Sequence, residues 1–151
     1  MIELQLKTLG IELPPPPPPG GIYHPVVITG NLLFVSGQPP QRLDSTLITG
    51  VVGKDLSIEE AKQAARQTGL TMLSTIKAHI GDLDKIKRLI KTLGMVNCKP
   101  GFTNQPQVIN GFSELLVELL GDQNGKGARS AVGMILPGNI AVEIEAIFEL
   151  H

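Results

Sequence analysis

A run of six consecutive prolines, Pro14–Pro19, divides this chain of 151 residues into two unequal parts. Each proline lacks a backbone N–H, so the run can form neither a helix interior nor a central strand, and a polyproline II conformation is expected. We therefore predict an N-terminal segment at residues 1–20, ending in a stiff connector, and one folded domain at residues 21–151. A PxxP ligand for SH3-like domains is an alternative role for the run, although a tether is the commoner use of such a stretch.

The segments on either side of the prolines carry strand and turn patterns. Residues 1–13 fit either a short strand or a helix, because both apolar spacings occur there. The β-rich stretch Val26–Ser36 is interrupted by Gly30-Asn31, which indicates a tight hairpin. Residues 47–52 could form another short strand, which Gly53 would end.

Two amphipathic helices are predicted further along the chain. Ser57 and Glu60 form a capping box at the start of the first helix, which should end near Gly81. The second helix is expected from about Gln107 to Leu120, with an apolar stripe along one side. Residues 86–96, between the helices, are interpreted as a strand, although their charged residues are also spaced as on a helix.

The C-terminal part of the chain predicts two more strands, at residues 128–136 and 140–150. The turn residues Pro137, Gly138 and Asn139 join them, and we interpret the pair as a hairpin. The order is then strands, helix, strand, helix and two strands. This order predicts an α+β domain with two helices packed on one face of a mixed sheet.

Composition excludes several classes of function. The net charge of −1 provides no basic field for a phosphate backbone, and aromatic residues make up only 3% of the chain, so nucleic-acid binding is not expected. The single cysteine, Cys98, could be a nucleophile, but a small apolar filler is the commoner role for a lone cysteine. No metal-ligand spacing and no nucleotide-binding motif is present, so neither a metal nor a cofactor is expected.

The predicted location of the protein is the cytoplasm. No apolar stretch approaches the roughly 18 residues that a membrane-spanning helix needs, and the first residues lack the pattern of a signal peptide. A lone cysteine also fits a reducing compartment. We expect no membrane association.

Two charged residues near the C-terminus are candidates for chemistry. Arg129 begins one predicted strand after a glycine-rich loop, and Glu143 lies in the other strand among apolar neighbours. A guanidinium can hold a carboxylate through two hydrogen bonds, and a carboxylate can activate a water molecule. The same two residues could instead form a structural cross-strand ion pair, which the periodicity alone favours.

Three stretches of the sequence carry a family resemblance. LLFVSGQ at Leu32–Gln38, VIN at Val108–Asn110 and GARSAVGMILPGNIAVEIEAI at Gly127–Ile147 occur in the order found in the RidA/YjgF family. The chain resembles a longer subgroup of that family, once labelled endoribonuclease L-PSP. The resemblance implies a chorismate-mutase-like fold and a homotrimer with clefts between its subunits.

The resemblance also implies an activity and a set of site residues. Members hydrolyse reactive 2-enamino and 2-imino acids to 2-keto acids and ammonia, without a cofactor. Arg129 matches the arginine that holds the substrate carboxylate, and Glu143 matches the glutamate that orients or activates water. Tyr23, Gly37 and Asn110 match positions that line the family's site. Ser36, beside Gly37, would add polar contacts.

Two features keep other functions open. Tyr23-His24-Pro25 departs from the common family pattern, and the stretch from Arg129 to Pro137 is one residue shorter than that pattern. A one-residue change of register would turn Glu143 to the opposite face of the sheet. The alternatives are a non-catalytic trimer that binds small carboxylate metabolites and an endoribonuclease or translation inhibitor.

Overall fold

The computed structural model describes all 151 residues and contains two long helices and a five-stranded sheet. The helices are α1 (Ile2–Thr8), α2 (Ile58–Ile80), α3 (Gln105–Leu120) and the single turn α4 (Asp122–Gly125). The strands are β1 (Val26–Thr29), β2 (Leu32–Gln38), β3 (Ile86–Asn97), β4 (Ala128–Met134) and β5 (Val142–Leu150). Short 3₁₀ turns lie at Leu83–Lys85 and Pro137–Asn139. The predicted α+β class is confirmed, and residues 86–96 belong to a strand.

The strand order is β1-β2-β5-β3-β4, and every neighbouring pair is antiparallel except β3 and β4, which are parallel. The expected C-terminal hairpin is therefore wrong, because β3 lies between β4 and β5. Neighbouring strands are about 4.8 Å apart, so a link from β4 to β5 must span about 10 Å. The seven residues 135–141 cross that distance at the end of β3.

Helices α2 and α3 pack together on one face of the sheet, as predicted. The capping box of Ser57 and Glu60 is present at the start of α2, and Gly81 ends the helix with φ +82°. Small residues bring the two helices together, since a Cβ on Gly111 would lie 2.0 Å from the carbonyl oxygen of Lys62. The main core lies between the helices and the inner face of the sheet, where Phe112 and Phe148 are fully buried.

The N-terminal segment packs against the domain. Residues 2–8 form a helix and not a strand, and Ile2 and Leu6 belong to the same apolar core as the domain. The Glu3 carboxylate accepts a hydrogen bond from the backbone N–H of Leu83 and pairs with Lys77 at 2.8 Å. The division of the chain at residue 20 stays a prediction, but α1 and the domain share one core.

Two local expectations differ from the structure. Residues 47–52 make only isolated bridges, because the chain turns at Gly50 with φ +130° and cannot continue as a strand. Helix α3 begins at Gln105, earlier than expected, because Pro106 occupies its first turn, where the missing N–H costs no helical hydrogen bond. No helix combines the length and the apolar character that crossing a bilayer requires.

Candidate functional site

Arg129 lies exposed on β4 and is held by helix α3. Its Nη1 donates to Oδ1 of Asn110 at 2.7 Å and to the hydroxyl of Ser113 at 3.2 Å, and its Nη2 donates to the carbonyl oxygen of Pro106 at 3.4 Å. All three acceptors are uncharged. We call Arg129, Asn110, Ser113 and Pro106 the arginine group.

The arginine group leaves part of the guanidinium free. A guanidinium has five N–H groups, and the Arg129 side chain uses three of them for these hydrogen bonds. Nε–H and one N–H of Nη2 have no partner in the chain. These donors lie on adjacent nitrogens, which is the arrangement that holds both oxygens of a carboxylate.

Glu143 lies on β5 beside a β-bulge in β2. The register between β2 and β5 shifts between Val35 and Gln38, so Ser36 and Gly37 together oppose one residue of β5. The carboxylate of Glu143 packs over Gly37, where an added Cβ would lie 2.5 Å from Oε2. Only glycine leaves room for the carboxylate in this position, and bulges of this kind often lie beside functional sites.

A cleft of about 420 Å³ opens beside Glu143. Gly37 and Tyr23 line it, and the prolines Pro17–Pro19 form one of its walls. The Tyr23 hydroxyl accepts a hydrogen bond from the N–H of Gly20 at 2.9 Å. We call Glu143, Gly37, Tyr23 and Pro17–Pro19 the glutamate cleft.

Ser36 borders the glutamate cleft but turns its hydroxyl toward the chain. The hydroxyl donates to the carbonyl oxygen of His24 at 2.8 Å, and the Ser36 N–H donates to the carbonyl oxygen of Pro25. Ser36 therefore holds the loop that carries Tyr23 against the end of β2.

The environment of Glu143 favours its protonated form. Burial raises the pKa of Glu143 above its ordinary value, and the nearby carboxylate of Glu145 raises that pKa further. No cation pairs with Glu143. A carboxyl group whose pKa is raised binds a proton more readily than an ordinary carboxyl group, which suits it to accept and return protons.

Arg129 and Glu143 lie on opposite faces of the sheet within one chain. Arg129 is in register with Thr92, and Glu143 is in register with Met95, three residues further along β3. Side chains alternate between faces along a strand, so Thr92 and Arg129 face the helices while Met95 and Glu143 face away from them. The cross-strand ion pair is therefore excluded, because β3 separates the two strands and the side chains point to opposite sides.

The six residues singled out from the sequence thus fall into two places. Asn110 joins Arg129, in the second turn of α3 and not at its start, while Tyr23, Ser36 and Gly37 surround Glu143. No group of three or more His, Cys, Asp or Glu side chains could hold a metal ion.

Sequence reasoning missed two contributors to these places. Ser113 lies one helical turn after Asn110 and is a polar residue beside an apolar stripe, which is the signal that could have identified it. Pro17–Pro19 were interpreted only as a connector. Their place in the cleft depends on how the proline run packs against the domain, and no local sequence pattern encodes that packing.

The comparisons with known proteins identify the family. The sequence pattern of a family described as "YjgF/chorismate mutase-like, putative endoribonuclease" matches residues 3–146, which is nearly the whole chain. The chain belongs to this family. The family match includes most of the N-terminal segment as well as the predicted domain.

Individual proteins match this chain over nearly its full length. Protein TCP17 of Trypanosoma cruzi is 40% identical, with 99% of this chain and 94% of that protein covered. The crystal structure of Atu1372 from Agrobacterium tumefaciens, of unknown function, shares 45% identity at a TM-score of 0.87, covering 99% of this chain and 91% of that one. A putative endoribonuclease of Shewanella oneidensis shares 30% identity at a TM-score of 0.93, covering 99% of both chains.

Proposed function

We propose that this YjgF-family protein is a homotrimer that hydrolyses 2-imino and 2-enamino acids to 2-keto acids and ammonia in clefts between its subunits. One observation carries the proposal. Arg129 and Glu143 each lack a charged partner, and they face opposite sides of the sheet. Two subunits can bring the arginine group of one to the glutamate cleft of the next.

The uncovered face of the sheet supports association of the chain with itself. The large apolar side chains Phe34, Val132 and Met134 are 39%, 37% and 45% exposed on the face opposite the helices. Exposed apolar surface of this kind marks association sites in small domains. A closed ring of identical subunits would cover this face and place each β4 edge beside the β5 strand of a neighbour.

The role of Arg129 is to hold the substrate carboxylate. The two free N–H groups on Nε and Nη2 receive the two carboxylate oxygens, while α3 keeps the guanidinium in place. Fixing the substrate in this way makes the attack of water effectively intramolecular, and such placement is worth on the order of 7–11 kcal/mol of the barrier.

The role of Glu143 is to move protons. The carbon of a protonated imine is electrophilic, so water adds to it while the Glu143 carboxylate takes one water proton, and a carbinolamine forms. Glu143 returns this proton to the nitrogen. The C–N bond then breaks with its electron pair going to nitrogen, the hydroxyl proton passes through Glu143 to the ammonia, and a 2-keto acid and ammonium leave. The raised pKa of Glu143 suits both transfers.

Mixed trimers test whether the site is shared between subunits. Arg129→Ala and Glu143→Gln should each lower kcat/KM by at least about a hundredfold, because each removes one half of the site. Co-expression of the two variants should restore about a quarter of the wild-type activity, since random assembly gives about one cleft in four with both side chains. Imines generated in situ by an amino acid oxidase provide the substrate, and ammonia release provides the measurement.

Four results would count against the proposal. A chain that light scattering shows to be monomeric could not form the shared cleft. Mixed trimers confirmed by native mass spectrometry but no more active than their parents would exclude a site shared in this way. Binding of 2-keto acids without any turnover of imines would favour the non-catalytic binding trimer. Cleavage of RNA that is lost in Arg129→Ala would favour the endoribonuclease, although the net charge of −1 offers little attraction for RNA.

A further inference from the structure

The proline run has a place in the site that its role as a connector does not explain. Three consecutive prolines, Pro17–Pro19, line the glutamate cleft, while Leu47 and Ile140 line it as well and add further apolar surface. Pro16, in the same run, lines a different depression between α1 and α2.

The run is fixed to the domain upstream of the cleft. The hydroxyl of Ser74 on α2 donates to the carbonyl oxygen of Pro14 at 2.5 Å, and Nε2 of Gln41 donates to the carbonyl oxygen of Pro15 at 2.8 Å. Gln41 is itself held, because its carbonyl oxygen accepts from Nε2 of Gln67 at 2.6 Å. Both anchors lie within the first two prolines, and the ring-locked φ angles carry this rigidity forward to Pro17–Pro19.

From this arrangement we infer that Pro17–Pro19 and Tyr23 form a side-chain pocket that selects imino acids with a bulky apolar, preferably aromatic, side chain. The inference rests on the proposed function, since it places the reacting carbon beside Glu143. Pyrrolidine rings pack well against aromatic rings, which is the contact by which proline-rich helices and aromatic grooves recognise one another. The Tyr23 ring offers a second flat surface in the same cleft.

The size of the cleft supports a large side chain. Its volume of about 420 Å³ lies in the range of pockets that hold ligands of drug size, about 300–1,000 Å³. The imine derived from alanine has a single methyl group as its side chain and would leave the proline wall in contact with water. The imine derived from phenylalanine would cover that wall, and its transition state would gain the contact.

The test compares two substrates and two substitutions in the same run. The double variant P17A/P18A removes two rings from the cleft but keeps the anchors at Pro14 and Pro15. P16A is the matched control, because Pro16 belongs to the same run and faces the other depression. Ammonia release is measured with imines from phenylalanine and from alanine, and calorimetry measures the binding of phenylpyruvate and pyruvate.

Wild-type protein and P16A should prefer the phenylalanine-derived imine by at least about tenfold in kcat/KM. P17A/P18A should lose most of that preference, because it slows the phenylalanine-derived imine far more than the alanine-derived imine. Equal rates with both imines, or a preference that survives in P17A/P18A, would overturn the pocket and leave the proposed hydrolysis standing. No turnover of either imine, with phenylpyruvate bound tightly by wild type and weakly by P17A/P18A, would overturn the hydrolysis and keep the pocket. If neither imine were turned over and neither 2-keto acid bound, both the proposed hydrolysis and the side-chain pocket would be overturned.

Discussion

The arginine group and the glutamate cleft present their charges in opposite ways. Arg129 lies in the open on an edge strand, and uncharged acceptors on one rigid helix orient it. Glu143 lies partly buried where a β-bulge, the Tyr23 loop and the proline run meet, and the charge that acts on it is the like charge of Glu145. One region is a solvated cation held in position, and the other is an enclosed acid whose ionisation is disfavoured.

The difference between the two regions shows what each can contribute to a shared site. An oriented and unpaired guanidinium binds an anion with little loss of conformational freedom. A partly buried carboxylate loses part of its hydration, and this loss raises its affinity for a proton. Neither Arg129 nor Glu143 takes part in an ion pair within the chain. Such departures from the most stable arrangement are typical of functional sites.

The largest expected effect comes from filling the space under Glu143. Gly37→Ala places a Cβ 2.5 Å from Oε2 of Glu143, so the carboxylate must swing away. The side chain can move without unfolding the sheet, so we expect a loss of kcat/KM of about a hundredfold with little change in Tm. Gly20→Ala in the same cleft is the control, since its Cβ would make an ordinary contact of 3.8 Å with the Tyr23 hydroxyl. Full activity in Gly37→Ala would remove Glu143 from the chemistry.

A smaller effect is expected from changing how Arg129 is held. Asn110→Ala removes the acceptor at 2.7 Å, and we expect KM to rise by about tenfold while kcat falls less, because the guanidinium loses its preferred orientation. Asn110→Asp keeps an acceptor there but adds a charge that competes with the substrate carboxylate. The Asp variant should therefore raise KM further than the Ala variant does, with no loss of Tm. If Asn110→Asp bound substrate as well as wild type, Arg129 would be a structural residue.

The sequence predicted the elements of the fold better than their arrangement. The capping box at Ser57 and the C-cap at Gly81 depend on neighbours within a few residues, and local patterns report such contacts. The insertion of β3 between β4 and β5 is a long-range pairing. Pro137 and Gly138 signal a turn equally well whether the next strand pairs at once or crosses to a more distant position.

The candidate site shows the same limit. The residues that match the family were found from their motifs, but their division between two faces of the sheet depends on strand order. The bulge at Ser36 and Gly37 adds one residue to β2 and has no distinct pattern in the sequence LLFVSGQ. The role of Pro17–Pro19 in the cleft depends on contacts with Ser74 and Gln41, which lie far away in the chain.

Stability measurements distinguish the enclosed acid from a paired one. The pKa of Glu143 is raised in the folded chain, so its favourable contribution is present below its unfolded pKa and is lost as the pH rises through its folded pKa. Glu143→Gln should therefore raise Tm above that of wild type at pH 7, and the difference should vanish at a pH below about 4. Thermal unfolding followed by circular dichroism at both pH values measures this.

The control variant, Glu149→Gln, should change Tm in the opposite direction. Hydrogen bonding to Arg88 is the main cause that lowers the pKa of Glu149, which lies on the same strand, and Lys87 adds to it. Glu149→Gln should therefore lower Tm slightly at pH 7, since exposed pairs contribute little, and this effect should be lost only as the pH falls through the lowered folded pKa of Glu149. Equal and same-signed shifts in the two variants would show that Glu143 is not desolvated.

The smallest expected effect comes from removing the negative charge of Glu145 beside Glu143. Glu145→Gln removes the second cause of its raised pKa and leaves burial, the first cause, in place. The proposed hydrolysis requires the carboxylate form of Glu143, so activity should rise with pH through its pKa, and the variant should move that acid limb to lower pH. Tyr23, which also lines the cleft, is the same residue in wild type and in the variant. Glu149→Gln should leave the limb where it is, because Glu149 lies six residues further along β5, about 20 Å from Glu143. A limb that stays fixed in Glu145→Gln but moves in Glu149→Gln would mean that a different group sets the pH dependence, and the enclosed acid would then have no part in the proton transfers.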